Sequence, residues 1–239
     1  MVGAARPDRL PHHVVRWRGG WARLGPWRGS SDVAFVSVGA QRPPDGDVVE
    51  RALRTLAADG YTSVVTNALG PADAVAFVDA GFVARERLHL LAHDMFRLPH
   101  TMLTTRRARR NDREAVLALD ARAFDGFWRL DDEGLDDALH ATPVTRFRVG
   151  GDEDRPVAYA IAGRAGPTGY LQRVAVDPSA RREGWGRAVV ADALQWLHRH
   201  RVDRTLVNTQ SGNDTALHLY ETCGFTRLPV GLCVMERAL

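Results

Sequence analysis

Apolar residues recur along this chain at two spacings, and the switches between them mark out the elements. Short runs rich in Val, Leu and aromatic residues predict strands over residues 14–17, 33–38, 61–66, 83–93, 101–108, 145–149, 156–162 and 168–176, with another around Val207. Between them the period lengthens to three and four. Val48, Val49, Ala52, Leu53, Leu56 and Ala57 predict a helix capped by Asp47 and ended by Gly60. Pro71 opens another through Asp79. Asn111 or Asp112 caps a third, carrying Ala115, Val116, Leu119 and Phe124, and a fourth runs over 135–140. Val189, Val190, Ala193, Leu194 and Leu197 share one face of a long fifth. The sixth covers 213–222 and ends at Gly224. Residues 1–31, rich in Arg, Trp, Gly and Pro, predict a loose start.

This alternation predicts an α/β chain with a mixed sheet. The order strand, helix, strand, helix, Gly-Phe, strand over residues 33–93 recurs loosely over 168–239. The break between the two runs falls at Leu98-Pro99-His100, which predicts domains at 1–98 and 99–239. The acidic turn Gly150–Asp154 joins two paired strands of the second.

The 239 residues are 45% hydrophobic, enough for substantial cores. No run of 18 apolar residues occurs, and the first residues carry no apolar signal segment, so a cytoplasmic chain off the membrane is expected. Cys223 and Cys233 read as free thiols. The nine His are scattered, which predicts no metal site. All 32 basic residues are Arg, yet the net charge is only +3. That balance favours binding a polyphosphate over wrapping nucleic acid, and the run Arg106, Arg107, Arg109, Arg110 reads as a solvated strand end.

The chemistry concentrates in residues 174–188. A strand ends at Val174-Ala-Val176, Asp177-Pro178 turns the chain, and Gly184 and Gly186 stand where the fifth helix begins. A helix start offers free N–H groups and partial positive charge, and Arg181, Arg182 and Arg187 add full charges. The stretch Arg181-Arg182-Glu183-Gly184-Trp185-Gly186 resembles motif A of the GNAT superfamily of N-acetyltransferases, Arg or Gln, two residues, Gly, one residue, Gly or Ala. A second stretch, Asn213 through Ala216, Leu219-Tyr220 and Gly224-Phe225, is similar to the same family's pattern around its active-site tyrosine. The likeness covers residues 101–239 well. Over 1–98 it is faint, and Pro43-Pro44, which lack N–H groups, stand where a cradle would be. The first domain therefore reads as a degenerate copy in a tandem GNAT arrangement.

The resemblance implies an N-acetyltransferase that uses acetyl-CoA, with a neutral amine of unidentified origin attacking the thioester. It implies that the central strand bulges and parts from its neighbour, so that backbone between Arg173 and Val176 pairs with the pantetheine arm. Val174 N–H would then face the thioester oxygen and Val176 would bind the arm. Arg181, Arg182, Gly184, Gly186 and Arg187 would hold the pyrophosphate, Asn213 would touch the arm, and Tyr220 would protonate the leaving thiolate with no large pKa shift. Some relatives carry a glutamate base five residues before the Asn; here that position is Asn208. Asp125, Asp131, Asp132, Glu133 or water remain for that role. Phe124, Phe127 and Trp128 would line the acceptor pocket, and Arg129 would meet an acceptor carboxylate or form a surface ion pair. The other reading open to the sequence is a CoA-binding or scaffold protein without activity.

Overall fold

A computed structural model describes residues 12–40, 42–153 and 155–239. The expected loose start over 1–11, Gln41 of the loop before the first helix, and Asp154 of the acidic turn lie outside the described residues.

The described residues begin with three strands, β1 His13–Trp17, β2 Gly20–Pro26 and β3 Val33–Ala40, followed by α1 Gly46–Ala58. Then come β4 Ser63–Thr66, α2 Pro71–Asp79 and β5 Val83–His93. After β6 Thr105–Arg107 stand α3 Arg113–Ala123 and α4 Asp132–His140. The rest is β7 Val144–Gly151, β8 Pro156–Ala165, β9 Thr168–Val176, α5 Trp185–Arg199, β10 Arg204–Gln210, α6 Asp214–Thr222, β11 Thr226–Arg227 and β12 Leu232–Ala238. The sequence pattern therefore locates each of the six α-helices among the described residues. Within 12–31, expected to be loose apart from a strand over 14–17, that strand is β1, and it forms an antiparallel hairpin with β2, which the pattern did not predict. Its apolar signal is diluted because Val14, Arg16, Trp21 and Arg23 face outward. The cap of α1 is Asp45, whose side chain accepts from Val48 N, and Asp47 sits in the first turn. Thr101–Thr104 is not strand; β6 is only three residues long.

Two compact units form, one of residues 1–88 with 230–239, the other of residues 89–229. The division falls inside β5 rather than at residue 98. The last strand joins the first unit because β12 pairs antiparallel with both β4 and β5 there.

In the first unit the strand order is β1-β2-β3-β4-β12-β5, with β3 and β4 parallel and the other neighbours antiparallel. Val49, Leu53 and Leu56 of α1 and Phe77 of α2 pack with Leu24, Val36 and Val64 into its core.

In the second unit β10, β9, β8, β7 and β6 are neighbours in that order, β9–β10 parallel and the rest antiparallel. Alternate side chains of a strand point to opposite faces, and β8 uses both. Tyr159 and Ile161 meet Val116 and Leu119 of α3 and Leu135 of α4. On the opposite face Ala162 packs with Leu194 and Leu197 of α5, and Ala158 and Ala160 with Val189. Tyr220 of α6 belongs to the α5-side core.

Candidate active site

The site is built on β9. Its pairing with β8 runs from Val176–Ala158 to Arg173–Ile161, then resumes one residue out of step at Leu171–Ala162. Gln172 is the extra residue of a bulge, as the resemblance implied. Pairing with β10 ends at Tyr170–Leu206, although β9 continues to Val176 and β10 to Gln210. Beyond that pair the two strands part.

The direction of the backbone groups beside the parting follows from the ladder. Asp177 N donates to Val157 O (2.8 Å). Opposed residues in an antiparallel pair alternate between bonded and unbonded. Ala175 and Arg173 therefore bond toward β8, while the N–H and C=O of Val174 and Val176 turn to the β10 side. Those are the two residues picked out in the sequence for the pantetheine arm.

Asp177 shapes the turn that follows. Its Oδ1 accepts from Ser179 N (3.0 Å) and Ser179 Oγ (2.7 Å), and Arg122 Nε donates to Oδ2 (2.8 Å). The two Ser179 bonds, with Arg122 beyond them, hold the Asp177 carboxyl down at about 2. The chain then takes positive φ at Arg182 (70°) and Gly184 (91°), and Gly184 is the N-cap of α5. No side chain caps α5, so its first N–H groups face outward, as an anion site requires. Arg181 and Arg182 are exposed beside them, with no ion pair to any described residue.

Arg187 and Gly186 also have partners within the chain. Arg187 Nε donates to His100 O (3.0 Å) and Nη1 to Thr222 O (3.0 Å), so its guanidinium ties down the end of α6. A Cβ on Gly186 would stand 3.0 Å from Leu219 Cδ2 and 3.5 Å from Val176 Cγ2. That glycine lets α5 pack closely on α6 and β9. Gly184 is glycine because of its φ; the space around it is open, with Leu103 Cδ1 nearest at 3.6 Å.

Asn213 caps α6, its Oδ1 accepting from Ala216 N (3.0 Å), which leaves its amide NH2 without a bond to described residues. About two turns along the same helix, Tyr220 is only 5% exposed and packs edge-on against Phe225. Its hydroxyl bonds to no described residue. Burial raises the phenol well above its ordinary value, and the charge of Arg173 opposes that rise. The expectation of an unshifted phenol is thus corrected: a ring sunk in the α5-side core loses the water that would solvate a phenolate.

On the other face of β9, the segment between α3 and α4 carries the remaining candidates. Phe127 and Trp128 are half-buried and meet edge to face. The ring of Phe124 lies 3.5 Å from Cζ of Arg173. Arg129 Nε donates to Phe124 O (3.2 Å). The carboxylates considered as bases have partners of their own. Asp125 accepts from Trp128 N, Asp131 caps α4 through Gly134 N, and Asp132 pairs with Arg113. Asn208 is exposed on β10. The Arg run is likewise engaged where it is paired, Arg106 with Asp112 and Arg109 with Glu153.

One cluster escaped the sequence reading. Asp120, fully buried on α3, takes Arg173 Nε on Oδ2 (2.8 Å) and Arg173 Nη2 on Oδ1 (2.9 Å). It also accepts from Tyr159 Oη and from Leu130 N (2.7 Å). The signal was there: Asp120 stands four residues after Val116 on the apolar face of α3, and Arg173 interrupts an apolar strand. Among the described residues no group of three or more His, Cys, Asp or Glu is placed to hold a metal, and no helix is long and apolar enough to cross a membrane.

Comparison with known proteins finds likenesses to acetyltransferases. The Acetyltransferase (GNAT) family matches residues 113–225. A mycothiol acetyltransferase of Thermobispora bispora is 34% identical over 131 residues, 50% of this chain and 44% of that protein. The alignment thus spans less than half the length of that relative. A mycothiol acetyltransferase of Geodermatophilus obscurus is 27% identical over 231 residues, 87% of this chain and 75% of its own length. Among solved structures, a tandem GNAT protein from the clavulanic acid biosynthesis pathway superposes with a TM-score of 0.67 at 14% identity, covering 92% of this chain and 79% of that one. At that identity the likeness speaks for the fold, which is the GNAT fold. Residues 113–225, a little under half of this chain, thus carry its likeness to the acetyltransferase (GNAT) family.

Proposed function

We propose that this chain is an acetyl-CoA-dependent N-acetyltransferase with its working site in the second unit, and that the first unit is a degenerate GNAT-like copy. The parting of β9 from β10, with the backbone of Val174 and Val176 turned into it, carries this reading. An unpaired strand edge of this kind accepts an extended, amide-bearing ligand much as it would accept another strand. The open N-terminus of α5 and the two exposed arginines before it suit a diphosphate.

Acetyl-CoA supplies an activated acetyl thioester. The protein's part begins with holding it. The first N–H groups of α5, with Arg181 and Arg182, bind the phosphates; Val174, Val176 and the Asn213 amide bind the arm. Val174 N–H, fixed by the bulge, stabilises negative charge gathering on the carbonyl oxygen. The Tyr220 hydroxyl, free of partners among the described residues, donates its proton to the departing sulfur. Phe124, Phe127 and Trp128 form the acceptor wall. The ammonium proton passes to water, the amine attacks once neutral, and the proton its nitrogen then loses restores the Tyr220 hydroxyl. The relatives named for mycothiol suggest a small-molecule amine as the acceptor.

The test is CoA release from acetyl-CoA across a panel of amines that includes desacetylated mycothiol, polyamines and short peptides with free N-termini. Turnover of at least one amine, rising with pH through that amine's own pKa, is expected. CoA binding with no release above the hydrolytic background for any amine would overturn the enzyme reading in favour of a scaffold.

A further inference from the structure

The buried Arg173–Asp120 pair has no part in the scheme above, yet it reaches both halves of the site. We propose that Arg173 is a positioning residue for the acceptor amine: with Asp120 it fastens the segment between α3 and α4 onto the bulge of β9. The inference rests on the acetyl-transfer reading for what that segment does.

The argument starts from what a buried ion pair is good for. Two charges taken out of water gain little net stability over well-packed apolar residues of the same volume. Here they do something apolar residues cannot, which is to satisfy the backbone of an irregular segment. Arg173 Nη2 donates to Trp128 O (2.6 Å) as well as to Asp120. Asp120 Oδ1 accepts from Leu130 N (2.7 Å). Phe124 lies against the guanidinium at 3.5 Å. The segment is therefore held at its start, middle and end by one pair of side chains. Tyr159 adds its hydroxyl from β8.

Arg173 stands next to Gln172, the extra residue of the bulge. The same irregularity fixes which way Val174 N–H points and which way the Arg173 side chain points. A carbonyl-facing donor and an acceptor wall are thereby mounted on consecutive residues. Reaction rates fall steeply when reactants are misplaced by as little as about 1 Å, so such a mounting bears on the amine more than on the cofactor.

Two full-length variants test this. Arg173→Lys keeps a charge opposite Asp120 and hence the fold, but loses the planar fork that serves Asp120 and Trp128 together. The double variant Asp120→Leu/Arg173→Met removes both charges without leaving either one buried alone. For a variant that melts cooperatively, amides over 124–131 should exchange at least about tenfold faster while those of α5 do not. KM for the amine should rise about tenfold or kcat/KM fall about 10–100-fold, with CoA affinity within about twofold of wild type. Unchanged exchange over 124–131 would refute the fastening. Faster exchange with unchanged amine kcat/KM would refute the positioning role alone. A wild-type chain that turns over no amine overturns the acetyl-transfer reading and this role with it.

Discussion

Asn67 returns both ends of its side-chain amide to the backbone of Val38: Val38 N donates to Oδ1 (2.9 Å) and Nδ2 donates to Val38 O (3.3 Å). Both residues belong to the first unit, where β3 and β4 pair in parallel as far as Val36–Thr66, and Asn67 N then donates to Val36 O. Where the parallel pair β9–β10 of the second unit opens, this one is sealed by a side chain. Pro44 precedes the cap of α1, and the Asp45 side chain already takes the Val48 N–H of its first turn.

The first unit should therefore bind no CoA. Calorimetric titration of the whole chain is expected to give one CoA per molecule. Asn67→Ala should cost about 1–2 kcal/mol of stability through two lost hydrogen bonds and leave that stoichiometry at one. Two equivalents of CoA bound to the wild-type chain would refute the assignment of a single site.

Gly184 and Gly186 separate two effects that the sequence merges. Gly184→Ala forces a Cβ into φ near +91°, at a cost of about 1–2 kcal/mol. Relief of that strain turns the first N–H groups of α5, so CoA affinity should fall about tenfold or more. Gly186→Val drives branches into Leu219 and Val176, so its first effect is on packing, about 1–3 kcal/mol. Melting curves and CoA titrations on both variants check the split. Equal loss of CoA affinity with no change in melting for Gly186→Val would contradict it.

Asp177 gives a pH signature. Its carboxyl titrates near 2 in the folded chain against 3.8 ordinarily, so the ionised form favours folding. That contribution is complete above about pH 5, shrinks as the pH drops through the ordinary carboxylate value and is gone below about 2. Asp177→Asn should cost about 1–2 kcal/mol at neutral pH. The gap between variant and wild type, read from urea unfolding, should narrow from pH 5 to pH 3. A gap that stays constant over that range would place the stabilisation elsewhere.

Much of this was legible because it is local. The strand–turn–helix order around Gly184 and the start of α6 beside Asn213 follow from short-range chemistry. What the sequence hid is what depends on distant partners. Arg187 sits one residue past the glycine pair, as a phosphate ligand would, yet the carbonyls of His100 and Thr222 claim it. Its position along the chain carries no trace of residue 100. The same holds for Asp120 and Arg173, 53 positions apart. Each breaks an apolar pattern, but only the packing of α3 on β9 makes the two breaks one pair. The pairing of β12 with β4 and β5 is likewise long-range, so the chain's return to the first unit at residue 230 left no mark on local pattern.

Tyr220→Phe tests the chemistry most directly. The hydroxyl makes no bond to a described residue, so its removal leaves no buried partner stranded, and the melting temperature should hardly move. A tyrosine kept for structure would behave differently, since losing its bond would cost about 1 kcal/mol. The effect should fall on the rate. A thioester sulfur is a weak acceptor before reaction, and the proton matters only as the carbon–sulfur bond breaks. Positioned acids contribute about 10²–10⁴-fold, and a loss in that range is expected in single-turnover rates at saturating acetyl-CoA. CoA affinity should stay within about twofold, because the ring and its contact with Phe225 remain. The pH profile adds a second check. Burial raises the phenol above its ordinary value of 10.0, so Tyr220 keeps its proton at alkaline pH, and the wild-type rate should show no descending limb up to about pH 9.5. A fall in rate between pH 8 and 9.5 that vanishes in Tyr220→Phe would mean that the hydroxyl ionises there, and that it sits in a wetter, less buried setting than the α5-side core provides.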